Sequence, residues 1–238
     1  MFPFRDHNPS NRVPYVSYAL IAINVLVYLT YGFLPDERVY DIFDTWAMVP
    51  LEITSSEEFH TLLTCMFMHG GWMHLAGNML FLWVFGDNLE DYLGHFGMVV
   101  FYVLCGLGAS AAQIAVAPHS EIPNVGASGA IAGLMGGYLL LFPKARIDVL
   151  FIIVIIFKIV PLPAWVVLGA WVGLQVVMGA LDWGVGADGV AYFAHIGGFV
   201  AGIAGIALVW LLRGRPRAWP EMPHEPVRPG NPWAVTRR

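Results

Sequence analysis

Ser128 sits in the tetrapeptide Gly126-Ala127-Ser128-Gly129, at the head of one apolar stretch, and His195 stands near the head of another. A polar residue in hydrocarbon is costly and is usually retained for function. A serine hydroxyl becomes a nucleophile when a base within hydrogen-bond reach takes its proton. Two stretches lying side by side with these heads level would place such a base on Ser128. A third stretch carries His74 and Asn78, four residues apart and therefore on one face of a helix.

These residues need a scaffold, and composition sets its class. The chain has 238 residues, of which 58% are apolar and only 12% charged. Its mean hydropathy is +0.65, whereas soluble domains are about a quarter charged. An integral, all-α membrane protein is expected. Cys65 and Cys105 lie in apolar surroundings, so free buried thiols are expected and no disulfide framework is implied.

About 20 apolar residues cross a bilayer as a helix. The candidate spans are Tyr15 to Leu34, Thr64 to Gly86, Phe96 to Ala117, Gly126 to Phe142, Leu162 to Leu181 and Val190 to Leu212. The fourth is short, which suits an end recessed below the surface. The apolar run Val149 to Val160 is shorter still. It reads as an interfacial segment, or alternatively as an extension of the fifth helix. The first span lacks a small-residue cleavage site after it and is expected to stay as an anchor. With six spans, eleven of the twelve Lys and Arg residues fall on one side and only Arg38 on the other. Basic residues collect in short cytoplasmic loops, so both termini are expected in the cytoplasm.

Under that orientation spans two, four and six run in the same direction. Ser128 and His195 lie near the starts of spans four and six, and His74 and Asn78 about ten residues into a span that begins near Thr64. All four groups are expected within a few turns of the outer leaflet. Gly129, Gly133 and Gly137 recur every four residues in span four, as do Ala194, Gly198 and Gly202 in span six. Small residues at that spacing let membrane helices pack backbone to backbone. Ser128 and His195 each adjoin a stripe, so contact through the stripes would bring them together.

Gly126-Ala127-Ser128-Gly129, His69-x-x-x-x-His74-x-x-x-Asn78, Glu90-x-x-x-Gly94 and Ala194-His195-x-x-Gly198-x-x-x-Gly202 together resemble the rhomboid family of intramembrane serine proteases. The likeness runs from Pro14 to Leu212 with the motifs in order. It implies a six-helix bundle and a serine-type endopeptidase in which Ser128 is the nucleophile and His195 the general base. His74, Asn78 and the Ser128 N–H would be oxyanion donors, and Gly126, Gly129, Gly133, Ala194, Gly198 and Gly202 structural supports. Implied clients are transmembrane proteins with small residues at the cleavage point and a helix that unwinds easily. They would reach the site past the fifth helix. His69, about 140° round the helix from His74, is read as a loop or structural residue.

Two departures stand out. His60-Thr61 occupies the place of a Trp-Arg pair common in the family, with Trp46 and Trp72 available at the interface. Ala132 stands where a tyrosine often stacks on the catalytic histidine. No carboxylate lies near His195 in span six, unlike many serine hydrolases but in keeping with the dyad that the resemblance implies. Phe199, one turn on, is a candidate to hold the ring.

Other chemistries fit less well. His-Glu-x-x-His and Cys/His ligand spacings are absent, so no metal is expected. The spans carry almost no carboxylates for aspartyl proteolysis. Ala130 breaks the Gly-x-Ser-x-Gly elbow of an α/β-hydrolase. No cofactor or nucleic-acid signature is found. The rival reading is an inactive rhomboid-like protein that binds or transports membrane clients. The expected organisation is a short cytoplasmic N-terminus (1–13), a six-helix domain (14–212) and a basic Pro/Arg-rich tail (213–238) near anionic lipid. The expected location is a bacterial cell membrane, and the oligomeric state is left open.

Overall fold

The computed structural model describes residues 2–153, 156–182 and 190–214. Chain order gives strand β1 (Phe2–Asp6), helix α1 (Tyr15–Tyr31) and three short helices, α2 (Asp36–Trp46), α3 (Pro50–Thr54) and α4 (Thr61–Thr64). A single 3-10 turn, Cys65–Phe67, leads to α5 (Trp72–Leu93), α6 (His95–Val116) and α7 (Ser128–Leu141). The hairpin β2 (Arg146–Ile153) and β3 (Ile156–Pro163) precedes α8 (Ala164–Leu181) and α9 (Tyr192–Arg213). Three of these helices, α6, α8 and α9, are long and apolar enough to cross a membrane, while α1 and α7 are shorter apolar helices.

Helix α7 forms the centre. Residues Gly129 to Tyr138 are all buried, and the helix packs between α9, α6 and α5. A methyl added at Gly133 would strike Cys105 of α6, and one added at Gly202 of α9 would strike the Gly133 carbonyl. The small-residue stripes thus face each other across α7 and α9, and the backbones touch.

The all-α expectation fails where β1, β2 and β3 form an antiparallel sheet in that order. The reason is local. Ile147 and Val149 are fully buried and alternate with the polar Arg146 and Asp148, a period of two that suits a strand. Pro161 and Pro163 sit on edge strand β3, where a missing N–H is tolerated. Residues 149–160 therefore do not extend the fifth helix, which begins only at Ala164 after Pro163 in extended conformation.

The second span also starts later than Thr64. Gly71 is fully extended (φ 167°, ψ 167°), which breaks the helix before Trp72. At the other end Gly94 has φ 77°, a left-handed geometry suited to glycine, and turns α5 into α6. Glu90 ties this corner to α1. Its carboxylate accepts the N–H of Val16 (2.9 Å) and Ser17 (2.8 Å), the Ser17 hydroxyl (2.8 Å) and His95 Nδ1 (2.6 Å). It thereby satisfies two N–H groups that the start of α1 leaves without helical partners. The basic tail beyond residue 214 lies outside the described residues.

Candidate active site

Ser128 is the first residue of α7, His74 the third of α5 and His195 the fourth of α9. Three helix starts converge, and helix starts present backbone N–H groups without partners. The loop before α7 is pinned from outside. Met48 and Asn124 exchange backbone hydrogen bonds of 3.0 and 2.8 Å, and Gly126 donates to the Cys65 carbonyl at 2.9 Å.

The two expected catalytic groups meet. His195 Nε2 lies 2.8 Å from Ser128 Oγ, an ordinary hydrogen-bond length. His195 Nδ1 lies 2.8 Å from Gln175 Oε1 on α8. One turn earlier on that helix, the Trp171 ring packs against the imidazole at 5.7 Å. Phe199 does not take that place. It packs on Trp171 at 6.4 Å and supports the histidine at one remove. Neither Gln175 nor Trp171 was singled out in the sequence, although Gln175 is the lone amide in the apolar run of α8.

His74 is oriented by its own loop. The Gly70 N–H donates to His74 Nδ1 at 3.3 Å. A neutral imidazole then carries its proton on Nε2, so Nε2 is a donor. That atom faces Gly126, whose φ of 131° requires glycine. A Cβ there would lie 2.8 Å from His74 Nε2 and 3.4 Å from Ser128 Oγ. Gly126 thus leaves open a space that both polar atoms border. One turn along α5, Asn78 is buried, and its Nδ2 meets no acceptor among the described residues.

His69 belongs to the extended link before α5, not to the helix, so the 140° separation does not apply. Its ring packs edge-on against His74 at 5.1 Å. The Tyr31 hydroxyl accepts the His69 N–H at 2.6 Å and donates to its carbonyl at 3.0 Å. Of the stripe residues, Gly129 abuts Ala109 and Ala194, and Gly198 abuts the Gly129 carbonyl. Ala132 is fully buried in the core. At the site of the Trp-Arg departure, His60 bonds the Thr45 carbonyl at 3.0 Å and packs on Trp46 at 5.5 Å. Among the described residues there is no cluster able to hold a metal ion.

The Rhomboid domain family model matches residues 56–213. The chain belongs to the rhomboid family. It is 29% identical over 211 residues to Rhomboid-like protein 11, chloroplastic, of Arabidopsis thaliana, covering 84% of this chain and 66% of the relative. It is 30% identical over 204 residues to Rhomboid protein 1, mitochondrial, of Saccharomyces cerevisiae, covering 84% of this chain and 53% of that protein. Rhomboid protease GluP of Bacillus subtilis is 29% identical over 129 residues, 54% of this chain and 25% of the relative. The chain therefore spans between a quarter and two thirds of the length of these relatives. As a rhomboid family member it is an integral membrane protein.

Proposed function

We propose that the protein is an intramembrane serine endopeptidase using Ser128 and His195 as a dyad. The observation carrying this reading is the 2.8 Å approach of His195 Nε2 to Ser128 Oγ at the shared start of α7 and α9. Ser128 Oγ attacks the scissile carbonyl carbon while Nε2 takes its proton. The resulting oxyanion meets the Ser128 N–H, His74 Nε2–H and Asn78 Nδ2–H. The C–N bond then breaks as the imidazolium returns its proton to the leaving amine. Water repeats the sequence on the acyl-enzyme and frees Ser128.

The clients are transmembrane proteins, cleaved in or near a membrane segment with small residues at the cut. Their approach is past α8. Helices α1, α5, α6, α7, α8 and α9 are proposed as six spans, with both ends in the cytoplasm and the dyad in the outer leaflet. The 14-residue length of α7 fits a helix that starts below the surface, where a water-filled cavity can reach Ser128. The expected bacterial membrane is not carried by the fuller matches, which are chloroplastic and mitochondrial by name. The bilayer is proposed without assigning it to an organism.

The test is labelling of purified protein by a serine-reactive fluorophosphonate, with cleavage of a transmembrane substrate in vesicles. Labelling and cleavage that vanish in both Ser128→Ala and His195→Ala support the dyad. Cleavage that persists in Ser128→Ala sinks it. Client binding that survives both substitutions, with no cleavage by the unmodified protein, would establish the non-enzymatic reading.

A further inference from the structure

We infer that Gln175 is the positioning residue for His195, setting the imidazole tautomer on which deprotonation of Ser128 depends. The inference rests on the protease reading and concerns what replaces the missing carboxylate. A neutral imidazole has one N–H donor and one lone pair, on opposite sides of the ring. Gln175 Oε1 at 2.8 Å accepts from Nδ1, which puts the proton there. The lone pair is then left on Nε2, 2.8 Å from Ser128 Oγ. Turning the amide round would present its NH2 to Nδ1 and force the proton onto Nε2. Ser128 would then be an acceptor, and the base would be gone.

The surroundings leave this task to Gln175. The side chain is buried, 7% exposed, and the rest of α8 around it is apolar. Asp182 lies seven residues further on, about 10 Å along the helix axis. Gln175 and Trp171 are one turn apart on one face, so α8 supplies both the hydrogen bond and the ring that flanks the imidazole.

The test compares the unmodified protein with Gln175→Met, which keeps volume but removes the acceptor, and Gln175→Glu, which restores one. Nitrogen-15 NMR of labelled histidine reads the tautomer directly. Fluorophosphonate labelling rate and steady-state cleavage read its consequence. Expected are an Nδ1–H tautomer in the unmodified protein and a mixed tautomer in Gln175→Met. In the latter, kcat should fall about ten- to a hundredfold with KM held within about twofold, as for loss of a buried partner that acts only on the chemical step. Gln175→Glu should recover the tautomer and most of the rate.

A folded Gln175→Met with unchanged tautomer and kcat overturns the inference and leaves the dyad standing. A rate loss with the tautomer unchanged, and no recovery in Gln175→Glu, also overturns it and marks a packing role. Unmodified protein that holds the Nδ1–H tautomer yet neither labels nor cleaves would instead defeat the protease reading.

Discussion

Gly198→Ala tests whether backbone contact between α7 and α9 sets the Ser128–His195 contact that the proposed mechanism needs. Gly198 lies three residues after His195 and faces the carbonyl of Gly129, the residue after Ser128. A methyl there would overlap both atoms of that carbonyl deeply, whereas carbon rests against such atoms at about 3.5 Å. The helices must part by roughly 1 Å or more at this level, because backbone cannot rotate out of the way. Further along, Gly202 meets Gly133 in the same manner and holds the pair together. The gap therefore opens at the Ser128 and His195 end. Their 2.8 Å contact stretches beyond hydrogen-bond reach. A misplacement of about 1 Å costs about a hundredfold in rate, and overpacking lowers stability by about 1–3 kcal/mol. Cleavage and fluorophosphonate labelling measure the first, and thermal unfolding in detergent the second. Gly173→Ala on α8 is the control, since a Cβ there meets nothing within 4 Å. Alanine also favours a helix interior by up to about 1 kcal/mol, so the control should match or exceed the parent in stability. Gly198→Ala with parental labelling and cleavage would refute the reasoning.

Three further outcomes are expected. Glu90→Ala strands the N–H groups of Val16 and Ser17 and should cost on the order of 3 kcal/mol. It should also speed amide exchange at the start of α1; unchanged melting and exchange would contradict the capping role. Tyr31→Phe removes both bonds to the His69 backbone and should cost about 1–2 kcal/mol while slowing Ser128 labelling through His74. Parental labelling would detach His69 from the site. Asp6 on β1 accepts from Tyr138 (2.8 Å) and Asn88 (3.0 Å), and burial, with Asp87 nearby, pushes its carboxyl up to about 7 from 3.8. The folded protein holds this proton more tightly than the unfolded chain. The stabilisation is therefore full below about pH 4 and is lost as pH rises through 7, by an amount on the order of 4 kcal/mol. Amide exchange across β1, compared at acid and alkaline pH, should show this slope in the parent and not in Asp6→Asn. The same slope in both would rule Asp6 out.

The groups legible in the sequence were those whose meaning is carried by spacing. Ser128 and His195 could be read as a pair because each adjoins a small-residue stripe, and His74 and Asn78 because four residues put them on one helix face. The glycine stripes were legible for the same reason. The sheet was not, because Val149 to Val160 is apolar enough to mimic a membrane segment and its pairing with β1 is non-local. The start of α5 was misread because Thr61–Thr64 is itself helical, and the extended Gly71 interrupts the run only in three dimensions. Gln175 carried a signal that went unused: a single amide in an apolar helix needs a partner, and its partner lies 20 residues away on another helix.

The buried amide bears on how the contact between His195 and Ser128 is kept. Helix α8 is anchored at its start, where Ala164 and Trp165 donate to the Ala145 and Pro143 carbonyls at 2.8 and 3.0 Å. Towards its other end it approaches α9 through Gly179, beside Tyr192 and Phe193. Apolar contact of this kind tolerates rotation of a helix about its own axis, because Leu174, Val176 and Val177 on the exposed side are interchangeable in lipid. A hydrogen bond does not. Turning α8 by one residue, about 100°, carries Gln175 away from Nδ1 and leaves the imidazole without its partner. If the inference holds, the amide would fix the rotation of α8 as well as the tautomer of His195. The two effects can be separated by moving the amide one position, in a Gln175→Leu, Val176→Gln double variant. If α8 turns to follow its amide, the bond to His195 is kept and Trp171 loses the ring contact. If α8 stays, the bond is lost and Trp171 remains, and packing alone sets the helix.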